Sequence, residues 1–260
     1  MILAILQARF SSSRLPGKVL KTILGKEMLL HQIERLQYSK MIDKLVVATS
    51  EDSSDDAIER LCQDNNVEVF RGDLNNVLDR FYQCAIQYNP DYVVRLTGDC
   101  PLTDWQVIDQ TIQYCLKGDF DYVTTSSKFP DGLDVGVVAM PALKSAWEGG
   151  ALPSEMEHVT QYISKKPNQF NNGVFNSSKN LSHLRLTVDE PEDFVLVGKI
   201  YQSLYENNPL FLIQDILDLL RNKPELIKIN DKFARNEGLL ESLKVDKEYL
   251  KKCIKNQSNY

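Results

Sequence analysis

Apolar runs that read as buried strands alternate with stretches of helical periodicity through the first half of the chain. That alternation leaves few ways to fold. The runs are Met1–Leu6, Leu45–Thr49, Val67–Phe70 and Tyr92–Leu96, and between them Met28–Leu36, Asp56–Cys62, Val77–Ile86 and Val107–Leu116 carry apolar residues at helical spacing. Strands separated by helices imply βαβ units and a parallel sheet covered on both faces. After Tyr122–Thr125 the rhythm changes. Asp134–Met140 alternates like a strand of a mixed sheet, Pro141–Trp147 and Glu155–Ile163 read as helices, and Phe170–Phe175 and Leu184–Val188 as strands. Pro191–Tyr205 opens with a strong helix signal: Pro suits the first turn, and Glu190, Glu192 and Asp193 suit its positive end. From Ile213 the chain is helical and charged, with Lys244–Asn259 a peripheral helix. The predicted division is one domain over residues 1–230, with a lobe inserted near 127–180, and a helical extension over 231–260.

The chain has 260 residues, 43% hydrophobic and 25% charged, which suits a globular protein with a sizeable core. A net charge of −6 argues against a nucleic-acid binder and leaves room for a small anionic ligand held by a local basic loop. No run reaches the ~20 apolar residues of a membrane helix. The opening residues lack a secretion-signal pattern, so a cytoplasmic protein is expected. The five cysteines include no Cys-x-x-Cys pair, which speaks against a zinc site or a disulfide framework. Cys62, Cys84 and Cys115 fall in helical patterns, and Cys100 reads as packing beside Asp99.

The first strand empties into Gln7-Ala8-Arg9-Phe10-Ser11-Ser12-Ser13-Arg14-Leu15-Pro16-Gly17-Lys18. Arg9, Arg14 and Lys18 on one short loop repel each other unless an anion sits among them. Serine and glycine let backbone N–H groups turn toward that anion. The carboxyl end of a strand in an open α/β sheet is where such a ligand binds. The spacing fits neither a Walker A loop nor a dinucleotide fingerprint, so a polyphosphate site of another kind is expected.

Two aspartates follow strands in the same way. Asp99 closes Arg95-Leu96-Thr97-Gly98-Asp99, and Asp189 closes Leu184-Arg185-Leu186-Thr187-Val188-Asp189. Facing a cationic loop, such carboxylates can hold a divalent ion that bridges phosphate oxygens. Asp99 could equally accept backbone hydrogen bonds in a turn, and Asp189 could cap the helix that begins at Pro191. Together with the loop they make a coherent Mg²⁺–triphosphate site. Asp131 and Asp134 lie in the lobe, either orienting hydroxyls of a second substrate or closing an Asp-Gly turn. Glu157 and His158 are candidates for the same substrate, the alternative for His158 being a packed histidine. His31 and His183 read as packing or surface.

In this order the blocks resemble the cytidylyltransferases that activate acidic sugars as CMP conjugates. These are the acylneuraminate and 3-deoxy-manno-octulosonate enzymes, and the likeness is strongest to the SpsF branch of spore coat polysaccharide biosynthesis proteins. The resemblance runs from Ile2 to about Tyr201 and is carried by five motifs. They are Gln7-Ala8-Arg9 with Ser13-Arg14-Leu15-Pro16-Gly17-Lys18; Arg95-Leu96-Thr97-Gly98-Asp99-Cys100-Pro101-Leu102; Phe129-Pro130-Asp131-Gly132-Leu133-Asp134-Val135; Glu157-His158-Val159-Thr160; and Arg185 through Asp193. It implies a GT-A-like α/β nucleotidyltransferase fold, with a mostly parallel central sheet flanked by helices and a small inserted lobe. It also implies CMP transfer from CTP to an acidic sugar, Mg²⁺ on Asp99 and Asp189, and a homodimer. Arg9, Arg14 and Lys18 match the triphosphate-gripping residues, and Gln7, Ala8, Ser13, Arg95, Thr97 and Asp99 complete the expected nucleotide site. Gly136 departs from the branch, where an acidic residue is expected. Asp73, Asp79 and Arg80 are expected either to border the base or sugar pocket or to start a helix.

Two other functions compete on the same scaffold. A glycosyltransferase would want an Asp-x-Asp metal motif, whereas Gly98-Asp99-Cys100-Pro101 has one aspartate. A non-catalytic nucleotide-binding protein would not need both aspartates and all three loop cations.

Overall fold

The computed structural model describes residues 1–235 and 237–257 and is built on one seven-stranded sheet. In chain order the strands are β1 Ile2–Gln7, β2 Thr22–Ile23, β3 Lys26–Glu27, β4 Lys44–Ser50, β5 Glu68–Gly72, β6 Tyr92–Thr97, β7 Tyr122–Thr125, β8 Gly136–Ala139 and β9 Asn172–Phe175. The helices are α1 Met28–Leu36, α2 Asp56–Asp64, α3 Val77–Ile86, α4 Trp105–Lys117, α5 Met140–Gly149, α6 Pro153–Glu157, α7 Gln161–Ser164, α8 Pro191–Leu204, α9 Ile213–Asn222 and α10 Glu237–Gln257. The sheet order is β5-β4-β1-β6-β8-β7-β9, while β2 and β3 pair apart from it. β5, β4, β1 and β6 run parallel, β8 is antiparallel to both neighbours, and β7 and β9 pair in parallel. The mostly parallel sheet flanked by helices is the architecture expected, and residues 127–180 add β8 and β9 to the same sheet.

β1 lies between two parallel neighbours, so its run from Leu3 to Leu6 is wholly buried. One face of the sheet packs Ala4, Leu6, Val47, Val94 and Leu96 against α1, α4 and α8; the other packs Leu3, Ile5, Val46 and Val93 against α3, α5 and α7. Helix starts are set by short polar side chains. The Asp104 carboxylate accepts from the backbone N–H of Gln106 and Val107 to begin α4, and the Asn76 side chain accepts from Asp79 N–H to begin α3.

Three expectations fail. Leu184–Val188 is not a strand. It is an extended segment joined to the sheet region through loops, with the Leu186 N–H donating to Asp131 O at 2.7 Å and the Val188 N–H to Asp99 O at 2.8 Å. Glu155–Ile163 is not one helix. Val159 sits at φ 50°, in the left-handed region, and splits it into α6 and α7. The last helix starts at Glu237 and packs on α6, its Asp246 carboxylate taking the N–H and hydroxyl of Ser154. It is a wall of the site rather than a peripheral element; Asn259 lies outside the described residues.

Candidate active site

Gln7 ends β1 beside Thr97, the end of β6, so the basic loop and Gly98-Asp99 leave the sheet at the same edge. The loop is tied down at both ends. Asp55, buried after β4, accepts the Phe10 N–H at 2.6 Å and also holds Ser50. Gly17, at φ 66°, returns its N–H to Phe10 O at 2.9 Å, a turn that suits glycine. Its α-carbon faces the Phe10 ring so closely that a Cβ there would lie 2.8 Å from the ring edge.

Lys18 closes the loop. Its ammonium is buried and donates to Asp99 Oδ2 at 3.1 Å, to Asp189 Oδ1 at 2.8 Å and to Val188 O at 2.8 Å. Burial alone would lower the Lys18 pKa, but the two carboxylates reverse this and hold it above the ordinary lysine value. Burial likewise pushes the Asp99 carboxyl up, and the Lys18 charge with hydrogen bonds from Thr97, Lys18 and Cys100 brings it down to about 2. Arg14 bridges Asp189 at 3.2 Å, Glu190 at 3.3 Å and Glu237 at 2.9 Å. Two of the three loop cations are therefore met by carboxylates of the chain itself, where the sequence suggested an anion among them. Arg9 has no carboxylate within 4 Å among the described residues.

The alternatives for the two aspartates are resolved by their partners. Asp99 takes Lys18 with its carboxylate rather than backbone N–H groups of a turn. Asp189 does not cap α8. The backbone N–H groups of Asp189 and Glu190 go to Asp193 Oδ2, each at 2.9 Å, which leaves the Asp189 carboxylate to Lys18, Arg14 and Arg185.

Arg185 is the hub beneath this site. It is buried and pairs with Asp131 at 3.0 Å, Asp189 at 3.2 Å and the fully buried Asp193 at 3.0 Å. Burial opposes its charge, but the Asp193 hydrogen bonds and the three carboxylates raise its pKa. Burial would likewise raise Asp193, and hydrogen bonds from Arg185, Asn230 and two backbone N–H groups pull it down. The spacing Arg185-x-x-x-Asp189-x-x-x-Asp193 was the available signal for this network.

Two cavities meet across Arg14, Thr97, Asp99 and Asp189. The smaller, of about 160 Å³, is walled by Gln7, Ala8, Arg9, Ser13 and Lys18 with the buried Arg80. Its lining is dominated by cations and small polar groups, the chemistry of a polyphosphate pocket. Burial, with Arg9 nearby, lowers Arg80 to about 10, so it stays charged at neutral pH. Asp73 holds the turn before α3 and Asp79 accepts from Trp147, so neither reaches this cavity.

The larger cavity, of about 430 Å³, takes in Arg95, Asp131, Asp134, His158 and Thr160. That is the size range of small-molecule sites. Arg95, expected with the nucleotide, lines this cavity and not the smaller one. Gly132, at φ 100°, lies so near the backbone of Thr187 that a Cβ would approach its nitrogen at 2.5 Å, which locks the Asp131–Asp134 turn onto the segment leading to Asp189. Asp134 accepts the Gly132 N–H and pairs with Arg235, so the turn and cavity uses of this aspartate coexist. Glu157 and His158 both meet Ser242 of α10, and Glu157 lies in a neighbouring depression with Arg9 and Arg14 rather than in this cavity. Burial lowers the His158 pKa, Glu157 opposing and Arg95 assisting, and the ring is neutral at pH 7. Arg235, Glu237 and Ser242 escaped sequence reading because they belong to the helical extension over 231–260, where no motif marks them. Cys100 is buried with its thiol pKa well raised, which fits packing.

Asp131 carries a pH prediction. Burial and the Asp134 charge push its carboxyl up to about 6 against the pull of Arg185 and Arg235. The folded protein thus keeps a proton that the unfolded chain releases near pH 4, and stability is lost as pH rises from about 4 to 6. Asp131→Asn removes this loss. Its melting temperature is expected to lie furthest below wild type at pH 4, with the gap narrowing by pH 7. A gap that widens over that range would contradict the raised carboxyl.

Residues 3–226 match a family model described as cytidylyltransferase. The spore coat polysaccharide biosynthesis protein SpsF of Bacillus subtilis is 33% identical over 233 residues, covering 86% of this chain and 95% of that protein. A 3-deoxy-manno-octulosonate cytidylyltransferase of Geobacter sulfurreducens is 35% identical over 111 residues, 43% of this chain and 44% of that one. Among solved structures, a cytidylyltransferase from Leptospira borgpetersenii superimposes with a TM-score of 0.84 at 30% identity, over 90% of this chain and 99% of that one.

Proposed function

The chain belongs to the cytidylyltransferase family, and from that premise we propose that it transfers CMP from CTP to a hydroxyl of an acidic sugar in glycan or polysaccharide biosynthesis. The hydroxyl oxygen bonds to the α-phosphorus, the bond to the bridging oxygen breaks, pyrophosphate leaves and the hydroxyl proton is lost. The observation that carries the reading is the pair of joined cavities. A small cationic pocket suits a triphosphate, a larger polar one suits a sugar acid, and Asp99 and Asp189 stand at the seam.

Asp99 and Asp189 converge on one cation position, held by the Lys18 ammonium at 3.1 and 2.8 Å. Among the described residues no cluster of three or more His, Cys, Asp or Glu forms a complete cage. That donor set fits Mg²⁺, which takes one or two carboxylates and fills its shell with phosphate and water. The ion, when bound, supplies positive charge at the reacting phosphate and acidifies the attacking hydroxyl. The residues of the chain do the positioning. Arg9, which has no carboxylate within 4 Å among the described residues, offers a planar fork to phosphate oxygens, and Arg14 and Lys18 would exchange their carboxylate partners for the phosphates and the leaving pyrophosphate. Asp131 and Asp134 line the larger cavity and would take sugar hydroxyls there, and His158 offers a neutral ring to the same cavity.

A homodimer and a cytoplasmic location belong to the same reading; the first is checked by sedimentation. Among the described residues no helix is long and apolar enough to cross a membrane.

The test is pyrophosphate release from each of CTP, UTP, ATP and GTP with Mg²⁺ and a panel of eight- and nine-carbon keto sugar acids. The expected outcome is release with CTP and one acid, abolished by EDTA and restored by Mg²⁺. Release without any acid, or equal release from all four nucleotides, would overturn the reading. CTP binding with no release on the whole panel would favour the non-catalytic scaffold.

A further inference from the structure

We infer that Arg95 recognises the acceptor's carboxylate, which gives the larger cavity a dedicated anion contact; the assignment rests on the reading of the acceptor as an acidic sugar. Four arginines line that cavity: Arg14, Arg95, Arg185 and Arg235. Three are already neutralised. Arg14 pairs with Asp189, Glu190 and Glu237. Arg185 pairs with Asp131, Asp189 and Asp193. Arg235 pairs with Asp134 and donates to two backbone carbonyls. Arg95 alone among them has no carboxylate within 4 Å and no hydrogen-bond acceptor among the described residues. Its Nε is buried and unpartnered. Leaving a buried charged donor unmet is costly, and a carboxylate in the cavity would offset that cost by neutralising the guanidinium through its two terminal nitrogens, which are not among the buried unpartnered atoms.

The strand pairing shows why Arg95 stays open. In the antiparallel register of β6 and β8, Arg95 stands opposite Gly136. A Cβ on Gly136 would lie 3.7 Å from the Arg95 Cβ and 3.5 Å from the Tyr122 ring. Any side chain at 136 would therefore run alongside Arg95, and an acidic one would neutralise it. Glycine supplies neither bulk nor charge. Uncharged groups line the same cavity: the Thr160 hydroxyl, which donates to Tyr122 Oη at 3.2 Å, Thr124 and the neutral His158. They offer contacts to sugar hydroxyls without competing for the guanidinium. The cation is felt across the wall, since Arg95 helps to keep His158 uncharged.

The experiment measures acceptor binding rather than turnover. Titration calorimetry is run with Mg²⁺ and a CTP analogue whose α,β-bridging oxygen is replaced by methylene, which prevents transfer. The probes are 3-deoxy-manno-octulosonate, N-acetylneuraminate and the methyl ester of each. For the acid that binds, wild type is expected to prefer it over its ester about 20-fold or more, the range of a lost charge-assisted pair. Arg95→Ala should bind acid and ester alike, and Arg95→Lys should recover part of the preference. Gly136→Glu, whose Cβ would meet Tyr122 and Arg95 at ordinary contact distance, should lose the acid too, while all three variants keep wild-type affinity for the CTP analogue. Acid binding that Arg95→Ala leaves intact overturns this assignment alone. Weakened CTP-analogue binding with unchanged acid binding returns Arg95 to the nucleotide site and also overturns it. Wild-type protein that binds the analogue but neither acid overturns the acidic-acceptor reading and this assignment with it.

Discussion

Asp99→Asn is expected to lower kcat for pyrophosphate release by about 10³-fold or more, some 4 kcal/mol of lost transition-state stabilisation. The substitution keeps the size of the side chain and removes its charge. Asp99 is ionised throughout the working pH range, its carboxyl held at about 2 by Lys18 against its burial. The loss is therefore of a carboxylate at the seam between the cavities. The fold should survive, because Lys18 keeps Asp189 and the Val188 carbonyl as partners. A melting temperature close to wild type with kcat collapsed is the expected pair of results. Turnover within tenfold of wild type would remove Asp99 from the reaction and with it the proposed Mg²⁺ site.

Arg185→Met should instead cost stability. The guanidinium is the shared partner of Asp131, Asp189 and Asp193, and Asp193 is wholly inaccessible to solvent. Removing one partner of a buried ionic network leaves uncompensated charge, typically a loss of about 3–5 kcal/mol. In a chain of this size that lowers the melting temperature by roughly 10 °C. Arg185→Lys should fall between, since an ammonium keeps the charge but cannot fork to several carboxylates. Adding Asp193→Asn to Arg185→Met should recover part of the loss, because one orphaned carboxylate is gone. A shift under about 2 °C for Arg185→Met would show that the three aspartates find other partners.

The parallel half of the sheet was legible because β1 and the core of β4 are continuous apolar runs and β6 is one broken only by Arg95, and a strand buried on both faces leaves that signature without help from distant residues. The failures share a cause. Leu184–Val188 alternates like a strand, yet its backbone partners are the loop residues Asp131 and Asp99, which no local pattern can announce. The helix read over Glu155–Ile163 breaks at the buried Val159, whose left-handed backbone runs against the ordinary preference of valine. At the site, strand-end position found Asp99 and the basic loop, because chain direction alone decides which edge they share. What position could not show was charge pairing. The loop cations looked unmet because their carboxylates lie far along the chain, Glu237 being 223 residues from Arg14. The same limit placed Arg95 with the nucleotide, since the register that sets it opposite Gly136 is a tertiary fact.

The contact between Arg14 and Glu237 has a consequence for how the molecule comes into being. A ribosome delivers the basic loop long before the α10 wall, so the larger cavity acquires that side only 223 residues after Arg14 has been made. Contacts that span most of a chain form late and carry the largest loop-closure cost. A nascent chain released through residue 226 has the whole sheet, the loop and both aspartates, but lacks Arg235, Glu237 and the Ser242 that meets Glu157 and His158. Such a fragment keeps the smaller cationic cavity and leaves the larger one open to water on the α10 side. On the proposed assignment, translation orders the two halves of the site, the nucleotide pocket before the acceptor pocket.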